Sequence, residues 1–167
     1  MFGSIAWATV IASVAALLQS TLLVKFAVFH AVPDLALGVL VYSAYINGTP
    51  VGQTVGFASG LVIDFMSAAP LGFNALLRTL IGAGAGLIKG TFFLDRFVLP
   101  VVLCIVATVL KAVVVALLHF LFAGAVPSYD LGTLVLPAEI ALNAITAPFL
   151  FAFLNLFSRA LRPRMDS

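Results

Sequence analysis

Apolar runs separated by short polar or Pro/Gly breaks account for nearly the whole chain. A membrane span needs roughly 20 predominantly apolar residues to cross a hydrocarbon core of about 30 Å. Reading for such runs predicts six helices, at about Ser4 to Val24, Asp34 to Ile46, Val51 to Ser67, Gly72 to Lys89, Arg96 to Ala123 and Leu134 to Phe157. The breaks carry turn chemistry: Val32-Pro33-Asp34, Asn47-Gly48-Thr49-Pro50, Ala69-Pro70, and Gly124 to Asp130 with Pro127. The second helix is short for a full crossing. Non-helical backbone at membrane depth survives only where protein or a wet cavity shields it, so the stretch from Val32 to Pro50 reads as a shielded helix or a cavity edge.

Charge then orients the bundle. With six spans both termini share a side, and that side carries Lys89, Arg96, Arg159, Arg162 and Arg164. The other side carries Lys25, and its last loop holds Asp130. This bias places both termini in the cytoplasm. Composition sharpens the class: 63% of the residues are hydrophobic and 8% charged, against roughly 25% charged in a soluble domain. Such a chain cannot build a polar surface, and the helices leave no room beyond one transmembrane domain over residues 1–167. The expected class is an all-α polytopic membrane bundle. A net charge of +2 is too small and scattered for a nucleic-acid footprint. Cys104 reads as a packed thiol, and the apolar stretch from Met1 to Val24, with no basic segment before it, as a retained helix.

Small residues recur at fourfold spacing. The third helix has Gly52, Gly56 and Gly60, and the fourth has Gly82, Gly86 and Gly90; the first echoes them with Ala8, Ala12 and Ala16. Residues four apart on a helix share a face, and helices in lipid associate by close backbone approach at such grooves. The grooves fit either packing of helices three and four on each other or docking of a partner's helix. Each glycine ridge continues into a charge, Asp64 after Gly60 and Arg78 before Gly82. At about 1.5 Å per residue the two lie at similar depth below the turn from Ser67 to Gly72. An ion pair between them is therefore expected, since an intramembrane charge seeks a partner.

Further polar groups fall in the last two helices: Lys111 in mid-helix, His119 two turns on, Glu139 near the start of the sixth helix and Asn143 one turn later. Together they are candidates to line an outward-facing polar cavity. No His/Cys/Asp cluster has metal-ligand spacing, no glycine loop sits between strand and helix, and Ser43 and Ser59 have no base nearby in sequence. No catalytic set, metal site or cofactor site is expected.

The middle of the chain has a recognisable order. Pro33-Asp34 opens a short helix ending in Tyr42-Ser43-Ala44-Tyr45-Ile46; then come Gly48, Gly52, Gly56-Phe57, Gly60-Leu61, Asp64, Pro70-Leu71-Gly72 and Asn74-Ala75-Leu76. This order resembles the rod shape-determining protein MreD family, mainly over Gln19 to Gly90, with the last two helices agreeing in hydropathy and length. The resemblance implies that Pro33, Asp34, Gly56, Phe57, Gly60, Asp64, Pro70, Gly72 and Asn74 are family signature residues. It implies a helical fold like that of the substrate-binding S components of vitamin importers. It also implies a place in the bacterial inner membrane beside the single-span MreC protein, and through it the actin-like filament and a polymerase–transpeptidase pair that builds peptidoglycan. Two functions follow. One is a non-enzymatic scaffold of the cell-elongation complex, and a homodimer is open to it. The other is the solute-binding subunit of an importer, docking an energising subunit through Ala8, Ala12 and Ala16.

Overall fold

The computed structural model describes residues 2–27, 29–90, 97–122 and 133–161. Six long helices occur among them: α1 Phe2–Thr21, α2 Leu35–Asn47, α3 Thr49–Met66, α4 Phe73–Leu87, α5 Val98–Leu121 and α6 Val135–Leu156; a single turn, α7 Ser158–Leu161, follows. The protein is an all-α bundle. α1 stops at Thr21 and the chain continues as a 3₁₀ turn, Leu23–Phe26, where sequence predicted helix to Val24. The expected outer ends of the fifth helix at Arg96 and Ala123, the break around Pro127, Asp130, Arg162 and Arg164 lie outside the described residues.

Three helices, Gly3–Thr21, Val98–Leu121 and Val135–Leu156, are long and apolar enough to cross a membrane. They leave large apolar side chains such as Trp7, Phe120, Phe149 and Leu156 exposed. A soluble surface does not carry so many; here they form the lipid-facing belt. α2 is different. Its 13 residues span about 20 Å, and nine of them, Ala36 to Ala44, are buried. It packs against α1, α3, α4, α5 and α6. A helix that is apolar all round belongs inside other protein, so of the two readings its short length offered, shielded helix or cavity edge, α2 takes the first.

Local chemistry sets the ends of α2. The Asp34 carboxylate accepts from the Leu37 amide at 2.9 Å, an N-cap. At the other end Gly48 adopts φ +97, a conformation that favours glycine. Its amide closes on the Ala44 carbonyl at 2.7 Å, and α3 starts at the next residue with Pro50 in its first turn. Tyr42 stands edge-on to Phe151, ring centroids 5.1 Å apart, fastening α2 to α6.

The glycine ridges meet each other. A Cβ on Gly52 would run into the Gly82 backbone, one on Gly56 into Arg78, one on Gly60 into Asn74 and Ala75, and one on Gly86 into Thr49. α3 and α4 are thus in backbone contact along their length, so these grooves are closed within the chain and are not open to a partner's helix. Gly90 departs from the expected ridge: it lies past the end of α4 at φ +67 with no neighbour within 4 Å of a Cβ position. The alanine stripe of α1 also turns inward, since Ala8, Ala12 and Ala16 are buried. That placement removes the exposed motif on which docking of an energising subunit was expected.

Backbone cannot yield as a side chain can, so Gly56→Ala should destabilise by about 1–3 kcal/mol. Gly84→Ala, which meets only the tip of the Leu110 side chain at 3.4 Å, should be neutral or stabilising through higher helix propensity. Thermal unfolding of the detergent-purified variants checks the contrast.

Candidate functional site

Asp34 is the centre of a buried polar network. Arg78 of α4 donates through Nη2 to Asp34 Oδ1 at 3.0 Å and to Oδ2 at 3.3 Å. Lys111 of α5 donates from Nζ to Asp34 Oδ2 at 2.8 Å and to Glu139 Oε1 of α6 at 2.6 Å. The Asp34 backbone amide donates to Asn143 Oδ1 at 2.7 Å. Asn143 Nδ2 donates to Thr108 Oγ1 at 2.9 Å, and that hydroxyl donates to the Cys104 carbonyl at 2.7 Å. Asp34 thus ties α2 to α4 and α5 through its carboxylate and to α6 through its backbone amide.

The charges balance. Asp34 and Glu139 face Arg78 and Lys111, and the residue exposures of Asp34, Arg78 and Glu139 are 5%, 6% and 6%. A lone charge at membrane depth costs at least ~2.5 kcal/mol even on the lenient insertion scale. The neutral quartet avoids that cost. Burial strengthens the attractions, and it makes removal of any one member expensive.

The expected Asp64–Arg78 pair is therefore corrected: Arg78 pairs with Asp34. Asp64 is instead filled by the start of α4. It accepts from the amides of Gly72, Asn74 and Ala75 at 2.9, 2.8 and 3.1 Å, and from Asn74 Nδ2 at 3.0 Å. α4 has no capping side chain of its own and opens on Gly72 at φ +94. Asp64, arriving from the end of α3, supplies the missing acceptor where the helix dipole is positive. The Phe73 amide also closes on the Pro70 carbonyl at 3.1 Å. Matching depth along the ridge suggested the ion pair, but four short hydrogen bonds from the turn already occupy the Asp64 oxygens.

Of the polar-cavity candidates, Lys111, Glu139 and Asn143 join the Asp34 cluster, while half-buried His119 lies two turns further along α5. Among the signature residues, Phe57 is exposed on α3 and Pro33 precedes the cap of α2. Sequence reasoning missed Thr108 and the central role of Asp34. A count of charges carried the signal: two cations at membrane depth, Arg78 and Lys111, required two anions, and a Pro-Asp start puts a carboxylate at a helix mouth. Among the described residues no group of three or more His, Cys, Asp or Glu is placed to hold a metal. Ser43 and Ser59 donate to the Val39 and Val55 carbonyls of their own helices.

Fold and site define a multi-pass α-helical membrane protein whose buried ionisable groups bind its own helices to one another. A model of the family described as rod shape-determining protein MreD matches residues 3–161. The chain belongs to that family, and the match takes in α5 and α6 as well as the central motif. No curated protein and no solved structure matches the chain, so the likeness to importer S components rests on the family resemblance alone.

Asp34→Ala leaves Arg78 and Lys111 without their shared anion and should cost about 3–5 kcal/mol. The Asp34→Ala/Arg78→Ala double variant should lose less than the sum of the single losses. Asp34→Asn keeps a capping oxygen but not the charge, and should fall between wild type and Asp34→Ala. Unfolding midpoints of wild type, Asp34→Ala, Arg78→Ala, the double variant and Asp34→Asn measure all three effects.

Proposed function

We propose that this protein is a non-enzymatic scaffold of the bacterial cell-elongation complex, holding the membrane span of a single-pass MreC-type partner. Through that partner it supports peptidoglycan synthesis and rod shape. Family membership over residues 3–161 carries the reading. The partner's surface is the groove between α1 and α6, because the glycine ridges are closed on each other. This groove has a volume of about 670 Å³ and an entirely apolar lining that includes Trp7, Val14, Leu18, Leu150 and Phe153, with Leu35 and Val39 of α2 at its floor. From Trp7 to Leu18 it follows α1 for about 16 Å, enough for three turns of an incoming helix. A helix seated in this groove would cover Leu35, which is partly exposed at the start of α2.

We place the protein in the inner membrane with both termini cytoplasmic. Lys89 donates to the Asn47 carbonyl at 3.2 Å, and Asn47 Nδ2 donates to the Leu161 carbonyl at 2.8 Å. Basic Lys89 and the C-terminal turn α7 thus gather at one end of the bundle. That arrangement supports the orientation drawn from the positive-inside bias.

Val14→Trp fills the groove from its exposed rim. It should reduce the single-span protein recovered with the purified chain at least tenfold while the chain itself accumulates normally, and the cells should round up. Leu80→Trp, on the lipid-facing side of α4, should change neither. Partner recovery unaffected by Val14→Trp would refute the groove; recovery of an ATPase module with a bound vitamin would favour the importer reading. An impermeant maleimide added to intact spheroplasts should label Leu71→Cys and spare Lys89→Cys; the reverse pattern overturns the orientation.

A further inference from the structure

Two cavities of about 180 and 250 Å³ share Gln19, Ile63 and Arg78 as walls. The first reaches inward to Asp34 and Lys111; the second continues past Ser20, Val32 and Ser67. Two buried polar atoms on these shared walls, Arg78 Nη1 and Gln19 Oε1, have no hydrogen-bond partner among the described residues. Arg78 is only 6% exposed, and its other terminal nitrogen is held by Asp34. A buried guanidinium N–H with no acceptor is uncommon in a native protein and marks a place where something else binds.

We propose that this pocket between α1, α3 and α4 binds a neutral ligand carrying a hydroxyl or an amide. The donor and acceptor offered by the protein set the chemistry. Arg78 Nη1 needs an acceptor and Gln19 Oε1 needs a donor, and a hydroxyl or amide supplies both. The charge balance excludes an anion: Asp34 and Glu139 already neutralise Arg78 and Lys111, so an added negative charge would stand uncompensated in a poorly hydrated site. Ile63, Val32 and Met66 along the outer wall favour a ligand with an apolar flank. The same chemistry is offered by a soluble amide or by a polyol lipid headgroup. Water is the rival occupant, since a cavity of this size holds several molecules at about 30 Å³ each. The site lies apart from the α1/α6 groove, so it stands or falls independently of the partner.

The test uses the full chain in phosphatidylcholine nanodiscs, with N-acetylethanolamine as the neutral probe and acetate as an anionic one, read by saturation-transfer NMR. Gln19→Leu removes an orphan polar atom and so should preserve the fold; it should weaken probe affinity at least tenfold. Ser20→Trp, at the exposed mouth, should abolish binding, and acetate should give no transfer in any variant. Suppression of the signal in nanodiscs containing glucosyl diacylglycerol, an uncharged polyol lipid, would assign the native occupant to a headgroup, and persistence would assign it to a solute. Preferential transfer to acetate overturns the neutral class. Absence of transfer to N-acetylethanolamine, or transfer undiminished in both variants, overturns the site in favour of water.

Discussion

A guanidinium and an ammonium at membrane depth need counter-charge, and in this protein a single carboxylate, Asp34, meets both. The same side chain caps α2, so the start of the central helix and the neutralisation of two others are one event. Glu139 completes the balance from α6, and Asn143 grips the Asp34 backbone. Helices in lipid have no hydrophobic drive to meet and associate instead through van der Waals fit, hydrogen bonds and lipid release. A charge-neutral polar hub and close backbone contact are the forces left to set their arrangement, and the bundle uses both.

Backbone contact comes from the small residues. Gly52, Gly56, Gly60, Gly82 and Gly86 bring α3 and α4 together, and Asp64 fixes their relative position by closing the turn onto α4. This hairpin is also where the family motif concentrates: a glycine at positive φ, an asparagine that shares the Asp64 carboxylate, and ridge glycines that leave no room for a Cβ. The motif therefore specifies how one hairpin is built. The proposed partner site is the apolar cleft over α2 between α1 and α6.

The helices were legible because apolar runs and Pro/Gly breaks report directly on chain in a membrane. The length of α2 showed that it needs cover, by protein or by a wet cavity, without saying which. The small-residue ridges were visible too, yet fourfold spacing is the same whether a groove meets the chain's own helix or another's. Charge pairing was harder. Sequence gives the depth of Asp64 and Arg78 but not their rotation about the bundle, and Asp34 looked like a helix start, remote by 44 positions from the arginine it holds.

The functional account places a single-pass partner against α1 and α6 while the α3–α4 hairpin faces lipid. Photo-crosslinking in growing cells tests this most directly, with a benzophenone side chain introduced at Val14 in the groove or at Leu80 on α4. The account predicts an adduct with the single-span MreC-type protein from position 14 and none from position 80. Adducts from position 80 with none from position 14 would contradict it.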